Sequence, residues 1–346
     1  MTQAHWNNIK EFIRTGFSKQ LPQGFIIDSP WLPGWYGIST LDYFTSDQAW
    51  FESNLAAHKA FPDVWFLPGF WSEYGMCSEP SAFGSKMMWD QQNLPHAAKM
   101  FETIQEAAKL KIPNVKTDGL LPFIINRLKN SRKLMEEHGH STRFAVSRGP
   151  LNIASFLFGT TELMMAMVTD PEETLVFISK INQFIVDWLR FQKENFPSIE
   201  GILILDDIVG FIDEENLKTF ALPFLKEEFG AFESEVRLFH NDANGVVCAP
   251  YLQSAGINMF NFSFNHPIDE MRKLCGDEIV LLGNIPPRDV LANGSKKQIS
   301  ESLSDQYHLC KNLKKIIWSC GGGIPQDVSS ENLNFFTEAL TDLYKK

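Results

Sequence analysis

The sequence predicts an α/β protein of the (β/α)8 TIM-barrel class with an N-terminal helical or irregular extension. Three observations predict it. Short apolar runs rich in β-branched residues alternate with longer amphipathic segments, the pattern of parallel strands joined by crossover helices. At 346 residues the chain has the length of one such barrel plus an extension. Several of the runs also end on a residue able to do chemistry, and that end of the strands is where this architecture gathers its active site.

Residues before about Phe61 read as the extension. A first helix is expected from about Trp6 to Lys19, followed by the aromatic and Gly/Pro-rich stretch WLPGWYGISTLDYFTSDQAWF, irregular at first and then helical. The barrel is expected over residues 61–346, the whole chain forming a single domain. Its strands are the runs Val64 to Leu67, Arg143 to Val146, Ile202 to Leu205, Val236 to Phe239, Ile257 to Phe260, Ile279 to Leu282 and Lys315 to Trp318, with an eighth near Val115-Lys116-Thr117. Helices fall between them, one over Leu163 to Met167 and another over DPEETLVFISKINQFIVDWLRFQKE, which opens on Asp170-Pro171 as N-cap and first-turn proline. No linker, low-complexity tract or short-period repeat divides the sequence.

Composition narrows the partners. A formal charge of −11 without a basic stripe argues against a general nucleic-acid binder. The apolar runs are too short to cross a bilayer, and the start, MTQAHWNNIKEF, lacks the apolar core of a signal peptide, so a cytoplasmic protein without a membrane partner is expected. The five cysteines, Cys77, Cys248, Cys275, Cys310 and Cys320, are widely spaced with no CxxC, which reads as reduced thiols.

The strand ends carry the chemistry. Ile202 to Leu205 leads into Asp206-Asp207, Val236 to Phe239 into His240-Asn241-Asp242, and Met259-Phe260 into Asn261. Leu281-Leu282-Gly283 leads into Asn284, and Ile316 to Ser319 into Cys320 and the glycines 321–323. An isolated histidine such as His240 is more often a buried ring satisfied by a carbonyl. Asp242 changes that weighting, because two ligands two residues apart beyond a strand, joined by one from a distant strand end, compose an open metal site. Cys320 alone would be a small buried hydrophobe, but the glycines after it, Gly321 and Gly322 among them, let a cofactor approach closely. One imidazole, one carboxylate and one thiolate favour zinc on His240, Asp242 and Cys320.

Asp206, Asn261 and Asn284 are then the residues expected to orient substrate at the reacting centre, although Asp206-Asp207 could equally cap the next helix. Glu73 and Glu79, with Cys77, lie in GFWSEYGMCSEPSAFG after the first barrel run, either in a solvated loop or over the mouth; Glu73, Glu79 and Asp207 are the substrate-binding candidates. Phe70, Trp71 and Phe83 of that segment either pack the core or line an apolar pocket. His266 reads as a loop or capping residue. Water, substrate, Glu79 or Asp206 could complete the metal's coordination.

Four stretches stand out from about Phe61 onward: GPLNIASFLFG (149–159), LILDDIVGFIDEENLKTFALPFLKE (203–227), LLGNIPP (281–287) and SCGGGIPQDVSSENL (319–333). In these the chain resembles the uroporphyrinogen decarboxylase superfamily. One branch of that superfamily decarboxylates tetrapyrroles and carries an arginine-rich PxWxMRQAGR segment near its N-terminus; residues 20–60 hold nothing similar. Anionic tetrapyrrole carboxylates would also need basic partners, whereas the strand ends here are acidic, amide or thiol. The other branch, zinc methyltransferases that exchange methyl groups with a corrinoid protein, has an H-x-C motif and a remote Cys. His240 and Cys320 match it, and Asp242 stands where the first Cys is expected.

The resemblance implies a zinc-dependent methyltransferase working with a corrinoid (cobalamin) held by a separate protein. A carboxylate in place of a thiolate leaves zinc the stronger Lewis acid. That favours removing a methyl group from oxygen, so the expected reaction carries methyl from a methoxylated substrate, aromatic ethers among the candidates, to Co(I), as the O-demethylase component. The alternatives are a methylcorrinoid:thiol methyltransferase of the coenzyme M kind, a uroporphyrinogen-type decarboxylase, and an idle barrel that binds a small ligand or partner.

Overall fold

The computed structural model of the chain describes residues 1–345. Its centre is a ring of parallel strands: β1 (Gly24–Ile26), β2 (Trp65–Leu67), β3 (Phe144–Arg148), β4 (Gly201–Leu205), β5 (Val236–Asn241), β6 (Met259–Phe262), β7 (Val280–Ile285) and β8 (Ile316–Cys320). Strands β3 to β8 form one continuous six-stranded ladder, and β1 pairs with β2. Parallel bridges Gln23–Trp318 and Ile26–Gly323 dock β1 onto β8, with the Trp318 amide donating to the Pro22 carbonyl at 2.8 Å. A short antiparallel ribbon, 87–88 with 96–97, lies outside the ring.

Among the described residues no backbone ladder joins β2 to β3. The seam is closed by side chains. At the C-terminal end, the Glu79 carboxylate accepts from the Arg148 amide at 3.1 Å and from its guanidinium at 3.3 Å. At the N-terminal end helix α1 (Gln3–Thr15) lays Trp6 edge-on against Phe144 of β3 at 5.3 Å and Phe12 against Trp65 of β2 at 6.0 Å. Thr2 caps α1 by accepting from the His5 amide, and Gly16 ends it at φ 70°, a left-handed conformation that glycine adopts without penalty. Helix α1 therefore stops short of the Lys19 expected from periodicity.

Two cores follow from the pleat. Inside the ring, Ile26, Trp65, Leu67, Phe144, Val146, Leu203, Leu205, Val236, Leu238, Met259, Val280, Leu282 and Ile317 pack with Trp6, Ile9 and Phe12 of α1. The alternate residues, such as Phe66, Ile202, Ile204, Phe239, Phe260 and Leu281, face the surrounding helices in a second, larger core. This is the two-residue alternation of strands, closed into a barrel.

Strand placement corrects the expected organisation at two points. Val115-Lys116-Thr117 is a turn, because Asn114 accepts the Lys116 amide at 3.0 Å and the Asn114 carbonyl accepts the Thr117 amide, offering the backbone a local alternative to a ladder. The remaining strand is Gly24–Ile26, so the first sixty residues are not wholly an extension: they contribute a stave and the plug of the barrel floor. Gly24 is required there, since a Cβ would stand 2.7 Å from the Trp65 carbonyl oxygen. No single helix among the described residues is long and apolar enough to cross a membrane; the pair Pro150–Phe158 and Thr160–Thr169 reaches that composition only jointly and is bent by 106°.

Candidate active site

Strand alternation decides which strand-end side chains enter the mouth. Following Val236 and Leu238 of the inner core, His240 shares their face of β5; by the same parity Asn261 follows Met259, Asn284 follows Leu282, Arg148 follows Val146, and Asp207 follows Leu205. Asp206 has the opposite parity, with Ile202 and Ile204 of the outer layer.

His240 and Asn261 are register partners on neighbouring strands. The Asn261 amide nitrogen donates to the Leu282 carbonyl at 2.8 Å and reaches the Cys320 carbonyl at 3.4 Å. Its oxygen therefore faces His240 Nδ1, 2.7 Å away. An amide oxygen only accepts, so Nδ1 carries the proton and the Nε2 lone pair points into the mouth. There it meets Asp207 Oδ1 at 3.5 Å and Asp242 Oδ2 at 4.0 Å. The Asp242 backbone amide donates to Asp207 Oδ1 at 3.1 Å, which ties the Asp207 carboxylate to the Asp242 main chain.

Asp207, His240 and Asp242 form the group of three ligating side chains, atoms within 4.8 Å of one another, among the described residues. Ligands ~2.1 Å from a tetrahedral metal stand about 3.4 Å apart, close to the separations here. A lone pair aimed at two carboxylates is repulsive until a cation or proton lies between them, so the donor set fits a metal such as zinc. Asp242 stands at the lip; burial by the surrounding walls, and next to it the Asp207 charge, hold its carboxyl above the usual range against the pull of His240.

Cys320 shares the outward parity of Ile316 and Trp318 and is fully buried. Its thiol points at the Gly322 and Gly323 carbonyls, 3.5 and 3.6 Å away, and burial pushes it up to about 12. The thiol expected to bind metal is therefore not among the three converging ligands; between it and Asp242 lies Gly322, where φ is +122° and a Cβ would lie 3.0 Å from Asp242 Oδ2. Gly322 thus makes room for the Asp242 carboxylate. Gly321 makes room for the loop after β6, because its Cβ would meet the Phe264 amide at 2.3 Å.

Asp206 does not enter the mouth. Its oxygens accept from the Leu151 amide at 2.9 Å and the Asn152 amide at 3.0 Å, at the first turn of helix Pro150–Phe158. It caps the preceding crossover helix rather than the following one, and so is not placed to orient a substrate. Asn284 donates to the His266 carbonyl at 2.5 Å and keeps its own buried oxygen unpartnered.

The β1–β3 arc holds a second polar set, opposite His240 in the order of the ring. Glu73 is 2% exposed; Oε1 accepts from the Ser29 amide at 3.2 Å and Oε2 has no partner. Glu79 is also buried, in the short helix Ser78–Ala82, and is committed to Arg148. Burial, then the Glu73 charge, raise the Asp28 carboxyl well above the usual range against the pull of Arg148; burial raises Glu73 as well. Sequence reasoning passed over Asp28 and Arg148, though each follows an apolar run, GFII and FAVS, as His240 does.

A parallel barrel whose C-terminal mouth combines an imidazole of fixed tautomer with two carboxylates is an enzyme of the (β/α)8 class. The chain belongs to the uroporphyrinogen decarboxylase family: the family model described as "Uroporphyrinogen decarboxylase (URO-D)" matches residues 36–343. It is 24% identical over 261 residues to a uroporphyrinogen decarboxylase of Chloroherpeton thalassium, covering 72% of this chain and 71% of that one. It is 21% identical over 254 residues to a methylated-thiol–coenzyme M methyltransferase of Methanosarcina mazei, covering 73% and 68%. Among solved structures, a methyltransferase from Methanosarcina mazei superposes with a TM-score of 0.80 at 14% identity, over 98% of this chain and 99% of that one. A B12-independent methionine synthase from Shewanella matches with a TM-score of 0.56 at 10% identity, over 94% and 98%. At these identities the superpositions establish the fold.

Proposed function

We propose that the chain is a zinc-dependent methyltransferase that moves a methyl group from a methoxylated substrate to the Co(I) corrinoid of a separate protein. The observation that carries the reading is the Asn261-fixed tautomer of His240, which presents Nε2 to Asp207 and Asp242 as a ligand. His240 and Asp242 are the core of the metal set and Asp207 the third donor as the side chains stand; Cys320, whose thiol is turned outward, would join them only through a change of rotamer. When bound, the metal would supply Lewis acidity at the heteroatom that carries the methyl group.

The chain's own residues do the rest. Asn261 keeps Nδ1 protonated, so the imidazole stays a neutral donor. The Asp242 main-chain amide holds the Asp207 carboxylate in place beside the imidazole. The unpartnered Asn284 oxygen is an acceptor for a donor group on the substrate. The inner core beneath, from Leu205 to Leu282, keeps water out from below.

The named function of the Methanosarcina mazei relative favours a second reading, in which a thiol is the methyl acceptor or donor. Assaying the zinc-loaded protein with reduced corrinoid and methoxylated donors, and separately with methylated corrinoid and thiols, distinguishes the two. Failure of both sets of reactions would end the methyltransferase reading.

A further inference from the structure

The β1–β3 arc gathers three carboxyl groups, Asp28, Glu73 and Glu79, around one guanidinium, Arg148. Arg148 is already engaged by Glu79 through both its amide and its side chain. That leaves Glu73 and Asp28 without a committed cation. Glu73 Oε2, nine-tenths and more buried, has no hydrogen-bond partner of good geometry, although Ser29 and Gly75 lie against the same carboxyl, and among the described residues no protein group donates to the Asp28 side chain, which is half-buried. A buried carboxylate oxygen without a donor is costly, and it is the kind of group a ligand completes.

The chemistry of the missing donor can be narrowed. A metal ion would call for three converging ligands, and the group of that kind among the described residues lies elsewhere, at Asp207, His240 and Asp242. An anionic ligand would meet the Glu73 and Asp28 oxygens with the one guanidinium beside them already engaged by Glu79. A primary ammonium has three N–H donors, enough for Glu73 Oε2 and the Asp28 carboxylate together. The Trp71 ring, with the Arg148 guanidinium 6.0 Å from its centre, gives the arc an apolar wall.

We propose that the β1–β3 arc recognises a primary ammonium group on the substrate, through Glu73 and Asp28, while the opposite arc holds its reacting end. The inference rests on the mouth being the substrate site, as proposed above, but not on which group is transferred. The substrate class is thereby a methylated small molecule carrying an amine rather than a carboxylate.

The test is calorimetric binding of benzylammonium and benzoate, matched in size and opposite in charge, to the zinc-loaded protein and its E73Q and D28N variants near neutral pH. Benzylammonium is expected to bind roughly tenfold or more tightly than benzoate, and either substitution to weaken it about tenfold. D28N changes a half-buried side chain and keeps the test open should E73Q fail to fold. Equal binding, preference for benzoate, no binding of either ion, or selectivity unchanged in both folded variants would overturn the proposal. Charge-selective binding without methyl transfer would sink the reaction and leave this site standing; methyl transfer without charge selectivity would do the reverse.

Discussion

The Asn261 oxygen lies 2.7 Å from His240 Nδ1, across a register pair of strands β5 and β6. The asparagine's other hydrogen bonds leave it no choice of orientation, so the imidazole has none of tautomer. N261A should therefore lower zinc affinity by about tenfold to a hundredfold, the usual cost of losing a group that orients a ligand, without unfolding the protein. Competition with a chromogenic chelator measures it; unchanged affinity would mean the ring is held by something else.

The metal set makes a graded prediction. H240A and D242N should each lower zinc affinity by a hundredfold or more, roughly 3 kcal/mol in binding terms. D207N should cost less, on the order of tenfold, and C320S, whose side chain faces outward, should change it little. A silent D242N would show that the carboxylate is a rim charge and not a ligand.

Asp206 is predicted to matter for stability and not for metal. Both its oxygens accept from amides at the start of Pro150–Phe158, so D206A should destabilise the fold by about 2 kcal/mol, as loss of a buried cap does. Denaturant melts combined with zinc titration check it, and loss of zinc binding in a folded D206A protein would contradict the assignment.

The difference between Asp206 and Asp207 shows what the sequence made legible and what it did not. The apolar runs located β2 to β8 within one to three residues, because a buried strand must be apolar throughout. That chemistry gathers at their C-terminal ends was legible for the same reason. Which of two adjacent aspartates enters the mouth depends on pleat parity, and a run apolar on both faces conceals its parity. Cys320 is the same case: its outward parity with Trp318 becomes visible only once Ile317 is seen inside the ring. Gly24–Ile26 escaped because three residues between Pro22 and Pro30 are too short a run to announce a strand. Asn114, in turn, closes a local turn where Val115-Lys116-Thr117 suggested one.

Acid should destabilise the fold through His58 and His140. Both are buried with a ring nitrogen lacking a partner, and their centroids are 4.7 Å apart. Burial, above all, lowers His58 well below the ordinary histidine value and His140 to about 3. The unfolded chain therefore binds protons that the folded chain refuses. The stability these histidines allow is fully present above about pH 6.5 and is lost as pH falls from there toward 3. H58F keeps a ring stacked on Phe70, 5.4 Å away, and should flatten the fall by up to about 1.4 kcal/mol per pH unit. An unchanged pH slope in denaturant melts would contradict it.

The central claim is methyl transfer to cobalt at the His240 site, and the most direct measurement is the absorbance of cob(I)alamin mixed with zinc-loaded protein and a panel of methoxylated amines. The expected result is conversion of the Co(I) spectrum to that of methylcobalamin, abolished by H240A. A Co(I) spectrum that persists with every donor, in a protein that decarboxylates uroporphyrinogen without added metal, would contradict it.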